Sequence, residues 1–454
     1  MMRSMYSGVS GLRAQQTKLD VIGNNIANVN TVGYKSQRVT FSDIFSQTIS
    51  GASAPDGNRG GVNPKQVGLG VRLGSIDTIM SPGGPQYTGN PQDVSINGSG
   101  FFIVQGGQRG DYQFTRAGNF GVDKAGNLTV DGLRVCGWQD YGGKRQPDGS
   151  YEYDTQKPVE PISLFSDKYN GNKRIIPPKA TTKGAFSGNL DPAKAAKGTA
   201  LGTIGTPPSP ADYTGTMTAY DAQGNSYEVQ VKFSKCYVDS TNPNSPVTSW
   251  YWEVSSSDQN LGITGSGYIE FDKDGKIVSG DPTNFDTTPL ITLTPKGTKA
   301  AAAPFNVELD FSGISTYNSS GSNEVKSSNV DGYAAGDLDD ISIGEDGIIT
   351  GVYSNGQKQP LGMIALANFD NPAGLEKIGG NLYVPTVNSG DYKGGNKPGE
   401  GGTSRISSGT LEMSNVDLAE QFSEMMITQR AFQANSKIIT AADQLLQDLV
   451  NMVR

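Results

Sequence analysis

The chain has 454 residues, 37 basic against 45 acidic side chains, a net charge of −8 and no histidine. At roughly 150 residues per domain this length implies several cores rather than one. The acidic balance excludes a phosphate-neutralising nucleic-acid partner, and the lack of histidine removes the commonest general base and zinc ligand.

Met1 to Gly8 contain no continuous apolar stretch, so a cleaved signal peptide is not expected. No run of about 18 apolar residues predicts a membrane-spanning helix. Met5, Val9, Leu12, Leu19, Ile22, Ile26 and Val29 recur at steps of three, four or seven, which is one face of a helix. Gly8, Gly11 and Gly23 lie inside that helix, and each costs about 0.8–1 kcal/mol relative to Ala. Such a helix is marginal in water and needs a partner for its stripe. The Gly-, Pro- and Asn-rich stretch that follows, Gly51 to Gly70, reads as a linker, with Gly51, Gly60, Gly61, Gly68 and Gly70 expected to give it flexibility.

The middle of the chain carries strand and turn signals. Glycine makes up 60 of the 454 residues, about twice the usual ~7%. That suits a β protein with many tight turns. Tyr227, Val229, Val231 and Phe233 alternate with Glu228, Gln230, Lys232 and Ser234, a strand with one dry and one wet face. Turn signals recur at Asp123–Asn127, Asp221–Asn225, Asp272–Gly275 and Glu345–Gly347, and Asn355-Gly356 predicts a type I′ hairpin. Asp272-Lys273-Asp274-Gly275 resembles the opening of a calcium loop, but the twelfth position holds no Glu, so a hairpin turn is the better reading. Trp250 and Trp252 read as exposed aromatics on one face of a strand. Cys136 and Cys236 stand 100 residues apart outside any CxxC pattern, and Cys136 is expected to be a quiet, half-buried thiol after a strand. Loose stretches near Lys157–Pro178 and Thr292–Pro304 bracket a central insert, and Asn388 to Gly402 precedes the last helix.

That last helix is announced by Leu418, Phe422, Met425, Phe432, Ile439, Leu446, Val450 and Val453, a heptad-like series that Gln429, Ser436 and Asp443 interrupt. Ser414 with Asp417 three positions on predicts a capping box at its start. Periodicity alone fits a two-helix core in a monomer as well as an assembly seam. Nothing in the chain singles out a catalytic constellation, a cofactor site or a metal site, although a secreted β-rich glycosidase would need only a pair of carboxylates.

Several passages resemble the rod and hook family of flagellar axial proteins. Ser7-Gly8-Val9-Ser10-Gly11-Leu12-Arg13-Ala14 to Asn24-Asn25-Ile26-Ala27-Asn28 and on to Thr31-Val32-Gly33-Tyr34-Lys35 looks like the shared N-terminal signature. Asn63-Pro64-Lys65-Gln66-Val67-Gly68-Leu69-Gly70 resembles the loop after it. Ile96-Asn97-Gly98-Ser99-Gly100-Phe101-Phe102 and Phe114-Thr115-Arg116-Ala117-Gly118-Asn119-Phe120 resemble the start of the first β domain. Tyr220–Asn225, Asp331–Gly336 and Gly351–Gly356 resemble the hook branch of the family, and Asn415–Glu420 with Gln429–Asn435 resembles its C-terminal helix.

The resemblance implies a mainly β protein with terminal helices and β domains nested in the sequence. Residues 1–30 and 414–454 would form a helical coiled-coil layer at an inner channel, and 31–75 an extended linker region. Residues 76–150 with 331–413 would form an inner β domain, and 151–330 an outer one. It implies a non-enzymatic homopolymer with no cofactor, catalytic residue or metal, assembled through Leu12, Leu19, Ile22, Ile26, Val29, Leu418, Phe422, Met425, Phe432, Ile439, Leu446 and Val450. Implied partners are the distal rod protein, the hook cap, the hook-filament junction proteins and the flagellar type III export apparatus, with neither nucleic acid nor membrane insertion. The alternative is another axial subunit such as the distal rod protein, which would lack the long central insert.

Overall fold

The computed structural model describes residues 2–55, 57, 60–106, 111–142, 152–198, 210–239, 247–278, 288–318 and 324–452. It is mainly β with one long helix at each end: α1 (Met2–Ala27) and α2 (Leu418–Met452). Two compact units emerge, one from 1–174, 340–352 and 358–454, the other from 175–339 and 353–357.

In the first unit α1 leads into a long β-ribbon. Strands β1 (Gln37–Asp43) and β2 (Ser46–Ser50) run out, and β3 (Lys65–Gly68) and β4 (Val71–Thr78) run back antiparallel to them. The segment expected as an extended linker is thus a paired ribbon. Gly70 is not a source of slack there: its φ is +121°, and a Cβ on it would lie 2.2 Å from Ser10 Oγ of α1. Beyond the ribbon, early and late strands interleave. Phe101–Gln105 pairs with Tyr112–Thr115, with Leu133–Trp138 and with Leu366–Ala367. Val94–Ile96 pairs with Ile406–Ser408, and Pro85–Tyr87 with Thr410–Glu412. The chain therefore closes on itself, and the start of α2 is delivered beside the end of α1. The core of this unit packs Phe101, Phe114, Trp138, Tyr153, Val159, Phe369 and Tyr383. Because Tyr153, Val159 and Ile162 are buried, the unit keeps the chain to Arg174, and the second unit opens at Ile175 rather than near 151.

The second unit holds a five-stranded sheet of Leu261–Thr264, Leu290–Pro295, Phe305–Ser315, Lys183–Asn189 and Val325–Val330. A four-stranded sheet of Tyr213–Tyr220, Ser226–Asp239, Val247–Ser255 and Ser266–Phe271 contributes to the same core. Tyr227, Val229, Val231 and Phe233 all point into it, as their alternation requires. Ser234, read as wet, is buried, since the strand bulges between Lys235 and Tyr237 and the alternation lapses there. Trp250 and Trp252 do share a face, but it is the inner one: both are buried, so they are core residues and not exposed aromatics.

One hairpin design recurs. At Asp123–Asn127, Asp221–Asn225, Asp272–Lys276, Gly344–Ile348 and Tyr353–Gln357 the fourth residue is a glycine with φ between 72° and 86°. Its N–H donates to the first carbonyl, and the first N–H donates to the fifth. This is a type I turn closed by a left-handed glycine. Asn355 keeps a negative φ, so Asn355-Gly356 is not type I′. The Asp272 turn is this same hairpin.

Asp331 ties the end of the edge strand Val325–Val330 to the start of its neighbour Lys183–Asn189. Its carboxylate accepts the Thr182 and Lys183 N–H groups at 2.8 and 2.9 Å and the Thr182 hydroxyl at 2.6 Å. Burial alone would raise its pKa, but these bonds and Lys179 outweigh it and pull the carboxyl from 3.8 down to about 2. A lowered folded-state pKa contributes stability above the unfolded value that disappears as pH falls toward 2. Asp331→Asn should therefore lower stability at pH 7 by about 1–3 kcal/mol. It should also flatten the loss of stability between pH 4 and pH 2, as read by urea unfolding at a series of pH values.

Candidate functional site: the paired chain ends

Asp417 opens α2. Its Oδ1 accepts the N–H groups of Ala419 (2.8 Å) and Glu420 (3.2 Å). Asp417 is thus the N-cap itself and not the third helical residue of a box begun at Ser414. Ser414 Oγ only accepts from Val416 N at 3.4 Å.

The two helices run antiparallel. Gly8 lies against Ile439 and Asn435, and Gly11 against Asn435. Lys18 Nζ sits 3.5 Å from Glu424 Oε2, and Asn25 Nδ2 donates to Gln421 Oε1 at 3.0 Å. A Cβ on Gly8 would stand 3.3 Å from Ile439 Cγ1, and one on Gly11 2.8 Å from Asn435 Nδ2. The glycines that weaken α1 as an isolated helix are what lets α2 approach. Gly23, with nothing within 4 Å, has no such reason.

The seam on α2 is not the predicted one. Two heptad rows of α2 border α1: one through Met425, Ile439 and Leu446, in which Leu418 and Phe432 are exposed, and beside it Gln421, Thr428, Asn435 and Ala442. Thr428 and Ala442 are buried, and Met425, Ile439, Leu446, Gln421 and Asn435 are half-buried. The predicted second row lies one residue along and points away. Phe422 is 50% exposed and Val450 67%. Gln429, Ser436 and Asp443 are exposed too, so they interrupt nothing. On α1, Ile22 is buried, while Leu12, Leu19 and Ile26 are half-buried; Val29, expected on the same helix, is half-buried in the turn after it. The structure thus brings Ile22, Met425, Ile439 and Leu446 to the pair and leaves Leu418, Phe422, Phe432 and Val450 on the surface. Val453 lies outside the described residues. Small side chains displaced the large ones because a seam lined with glycine accepts Thr, Asn and Ala at closer range than Phe.

Where the helices meet the β-ribbon, Asn25 is satisfied on every side. Its Nδ2 donates to Gln37 O (2.8 Å) and Gln421 Oε1, and its Oδ1 accepts from Gln37 N (3.0 Å) and the Tyr34 hydroxyl (3.2 Å). Next to it lies a buried ionic cluster. Glu412 Oε1 takes Lys35 Nζ at 2.5 Å and Gly83 N at 3.0 Å, and Oε2 takes Arg116 Nη1 at 3.2 Å. All three charged side chains are at most 3% exposed. Burial lowers the Lys35 pKa, and Glu412 opposes that shift. Gly33, at φ +69°, makes the turn into this cluster, where a Cβ would fall 2.8 Å from the Arg116 carbonyl carbon. Asn415 closes the other side, accepting from Ser36 N and donating to Ile79 O. Lys377 lies over the Tyr34 ring and donates to Lys35 O, and burial pushes it down to about 8.

Sequence reasoning quoted Lys35, Arg116 and Asn415 within motifs but gave them no role, and it did not consider Glu412. A Lys and an Arg inside otherwise apolar and glycine-rich motifs were the available signal, since such charges are rarely buried unpaired. Elsewhere, Cys136 is fully buried within a strand, not half-buried after one, and burial pushes its thiol up to about 12. Cys136 and Cys236 are not joined in a disulfide.

Four family models match the chain. They are a flagella basal body rod protein model (residues 5–35), a flagellar hook protein FlgE/F/G D1 domain (95–156), a flagellar basal body protein FlaE D2 domain (189–333) and a flagellar basal body rod FlgEFG protein C-terminal model (407–452). The flagellar hook protein FlgE of Borreliella burgdorferi is 40% identical, and that of Treponema pallidum 39%, each alignment covering 100% of both chains. The basal-body rod protein FlgG of Bacillus subtilis is 31% identical, also with 100% of both chains covered. The chain belongs to the flagellar hook protein family.

Removing one member of a buried ion cluster leaves an uncompensated charge at a cost of about 3–5 kcal/mol. Glu412→Gln should accordingly destabilise the first unit by about that amount in urea titrations. Adding Lys35→Met to the same chain should return part of the loss. An additive second loss would mean that the two side chains are not coupled.

Proposed function

We propose that the chain is a structural, non-catalytic subunit of the bacterial flagellar hook, polymerising into a curved flexible tube that carries torque from rod to filament. The observation that carries this reading is the surface of α2. Its partner helix covers a narrow, largely small and polar seam, and Leu418, Phe422, Met426, Ile427, Leu445 and Val450 remain exposed. Burying one such side chain contributes about 1.5–3 kcal/mol, and ordering a residue costs about 1–2 kcal/mol, so the pair alone is close to balance. Covering the outer rows with neighbouring copies shifts that balance toward order and makes assembly cooperative.

In this reading the terminal helices form the innermost layer, the ribbon links them outward, and the two β units form the outer layers. The hook's base meets the distal rod protein. Its growing end meets the hook cap and then the hook-filament junction proteins, and subunits arrive through the flagellar type III export apparatus. A marginal helix pair suits that route, because an export channel passes unfolded chain. The higher identity to hook relatives than to the rod relative favours the hook over the distal rod.

Phe422→Glu should leave the far-ultraviolet circular dichroism and the unfolding of the dilute protein nearly unchanged. It should raise the concentration needed for tube formation at least tenfold, measured by sedimentation and electron microscopy. Tubes appearing at the wild-type concentration would remove the basis for this reading.

A further inference from the structure

The four-stranded sheet of the second unit carries a tyrosine pair on the side turned from the core. Val247–Ser255 and Ser266–Phe271 are antiparallel neighbours in it, and Tyr251 stands directly opposite Tyr268. Trp250, Trp252 and Ile269, beside them in sequence, are buried in the core, so alternation directs Tyr251 and Tyr268 outward. Gly267 stands opposite Trp252, where a Cβ would lie 2.9 Å from the indole Nε1, so glycine lets the strands close at this register. The two rings are tilted at 59° with centroids 5.4 Å apart, and both residues are half-buried.

Two further tyrosine pairs among the described residues are comparably close, Tyr112 with Tyr392 and Tyr141 with Tyr153. Both belong to the first unit and are closed to solvent where it matters. The Tyr392 hydroxyl is buried, the Tyr112 hydroxyl donates to Val159 O at 2.7 Å, and Tyr153 is 6% exposed. Burial holds the phenol protons of Tyr112 and Tyr392 more tightly than usual. Only at Tyr251 and Tyr268 does a close pair combine with half-exposure of both partners. Between those two residues the chain also leaves its sheet. After Ser255 it crosses to the five-stranded sheet, where Leu261–Thr264 pairs with Leu290–Pro295, and it returns at Ser266.

We propose that Tyr251 and Tyr268 are a site of oxidative cross-linking, at which a small one-electron oxidant joins the two rings as dityrosine. The oxidant takes one electron from each ring, and each phenol gives its proton to water. The two radicals couple through the ring carbons beside their oxygens. Each coupled carbon then releases its hydrogen as a proton while the oxygen of the same ring takes one up, which restores both phenols. In all, two electrons and two protons leave and one carbon–carbon bond forms. That bond closes a covalent ring from Tyr251 to Tyr268 around the strand that crosses between the sheets. The unfolded chain loses the freedom to open this loop, whereas the folded unit already holds its ends together. The site lies wholly within the second unit and does not depend on how the chain assembles.

The test illuminates the full chain at low concentration with tris(bipyridine)ruthenium and persulfate, which accepts the electrons and becomes sulfate. The expected product is a monomer two hydrogens lighter that shows the blue fluorescence of dityrosine. After protease digestion, mass spectrometry should find the Tyr251 peptide joined to the Tyr268 peptide. Tyr251→Phe and Tyr268→Phe should each abolish that product and leave the urea unfolding of the unoxidised chain nearly unchanged. The linked second unit should unfold in urea with an equilibrium constant lower by roughly a hundredfold. Oxidised chain without dityrosine would overturn the proposal. So would dityrosine that maps chiefly to Tyr112 with Tyr392, that survives in Tyr268→Phe or that joins separate chains, and so would a linked unit no more stable than the unlinked one.

Discussion

Glu412 is buried between two cations that come from distant parts of the chain, Lys35 just after α1 and Arg116 in the first β unit. A buried charge is tolerated only where opposite charges and hydrogen bonds reach it, so all three segments must arrive together. Around that point Gly33 turns the chain, Asn25 ties α1 to both the ribbon and α2, and Asn415 holds the approach to the second helix. The pairing of the chain ends is therefore fixed at its base by polar geometry, before any apolar side chain of the helices is considered.

This division explains why the helical seam is so sparing of large residues. With the register set at Asn25–Gln421 and Lys18–Glu424, the helices approach through Gly8, Gly11, Thr428, Asn435 and Ala442. A close, small-residue contact fixes direction and spacing but buries little. The apolar side chains that would make a self-sufficient coiled coil are directed outward instead. A chain that folded its own ends tightly would have no surface left with which to polymerise.

Much of this was legible in the sequence. The two terminal stripes, the strand at Tyr227–Phe233 and the recurrent Gly-closed hairpins follow from periodicity and from the conformational reach of glycine. The one-residue error in the α2 seam has a physical origin. Hydrophobicity ranks Phe422 and Val450 above Thr428 and Asn435, whereas close packing against a glycine face ranks them the other way. The Trp250–Trp252 face was recognised but assigned to solvent, because alternation gives the period of a strand and not the side on which its core lies. The ribbon was masked by composition, since Gly, Pro and Asn between Gly51 and Gly70 hid the pairing of β2 with β3. The ionic cluster was hidden for a different reason: Glu412 lies 377 positions from Lys35 and 296 from Arg116, and only the interleaving of early and late strands brings them together.

A tube that bends must let neighbouring subunits shift while each subunit keeps its own shape. Polar contacts of fixed geometry, such as those at Asn25 and Glu412, resist displacement because a small shift leaves a buried donor or acceptor unpaired. Apolar rows tolerate it, because dispersion and burial depend weakly on register. Placing the directional interactions inside the subunit and the non-directional ones on its outer helical surface separates the two demands. In the hook reading proposed above, this would keep the fold of each subunit constant while the contacts between copies shift.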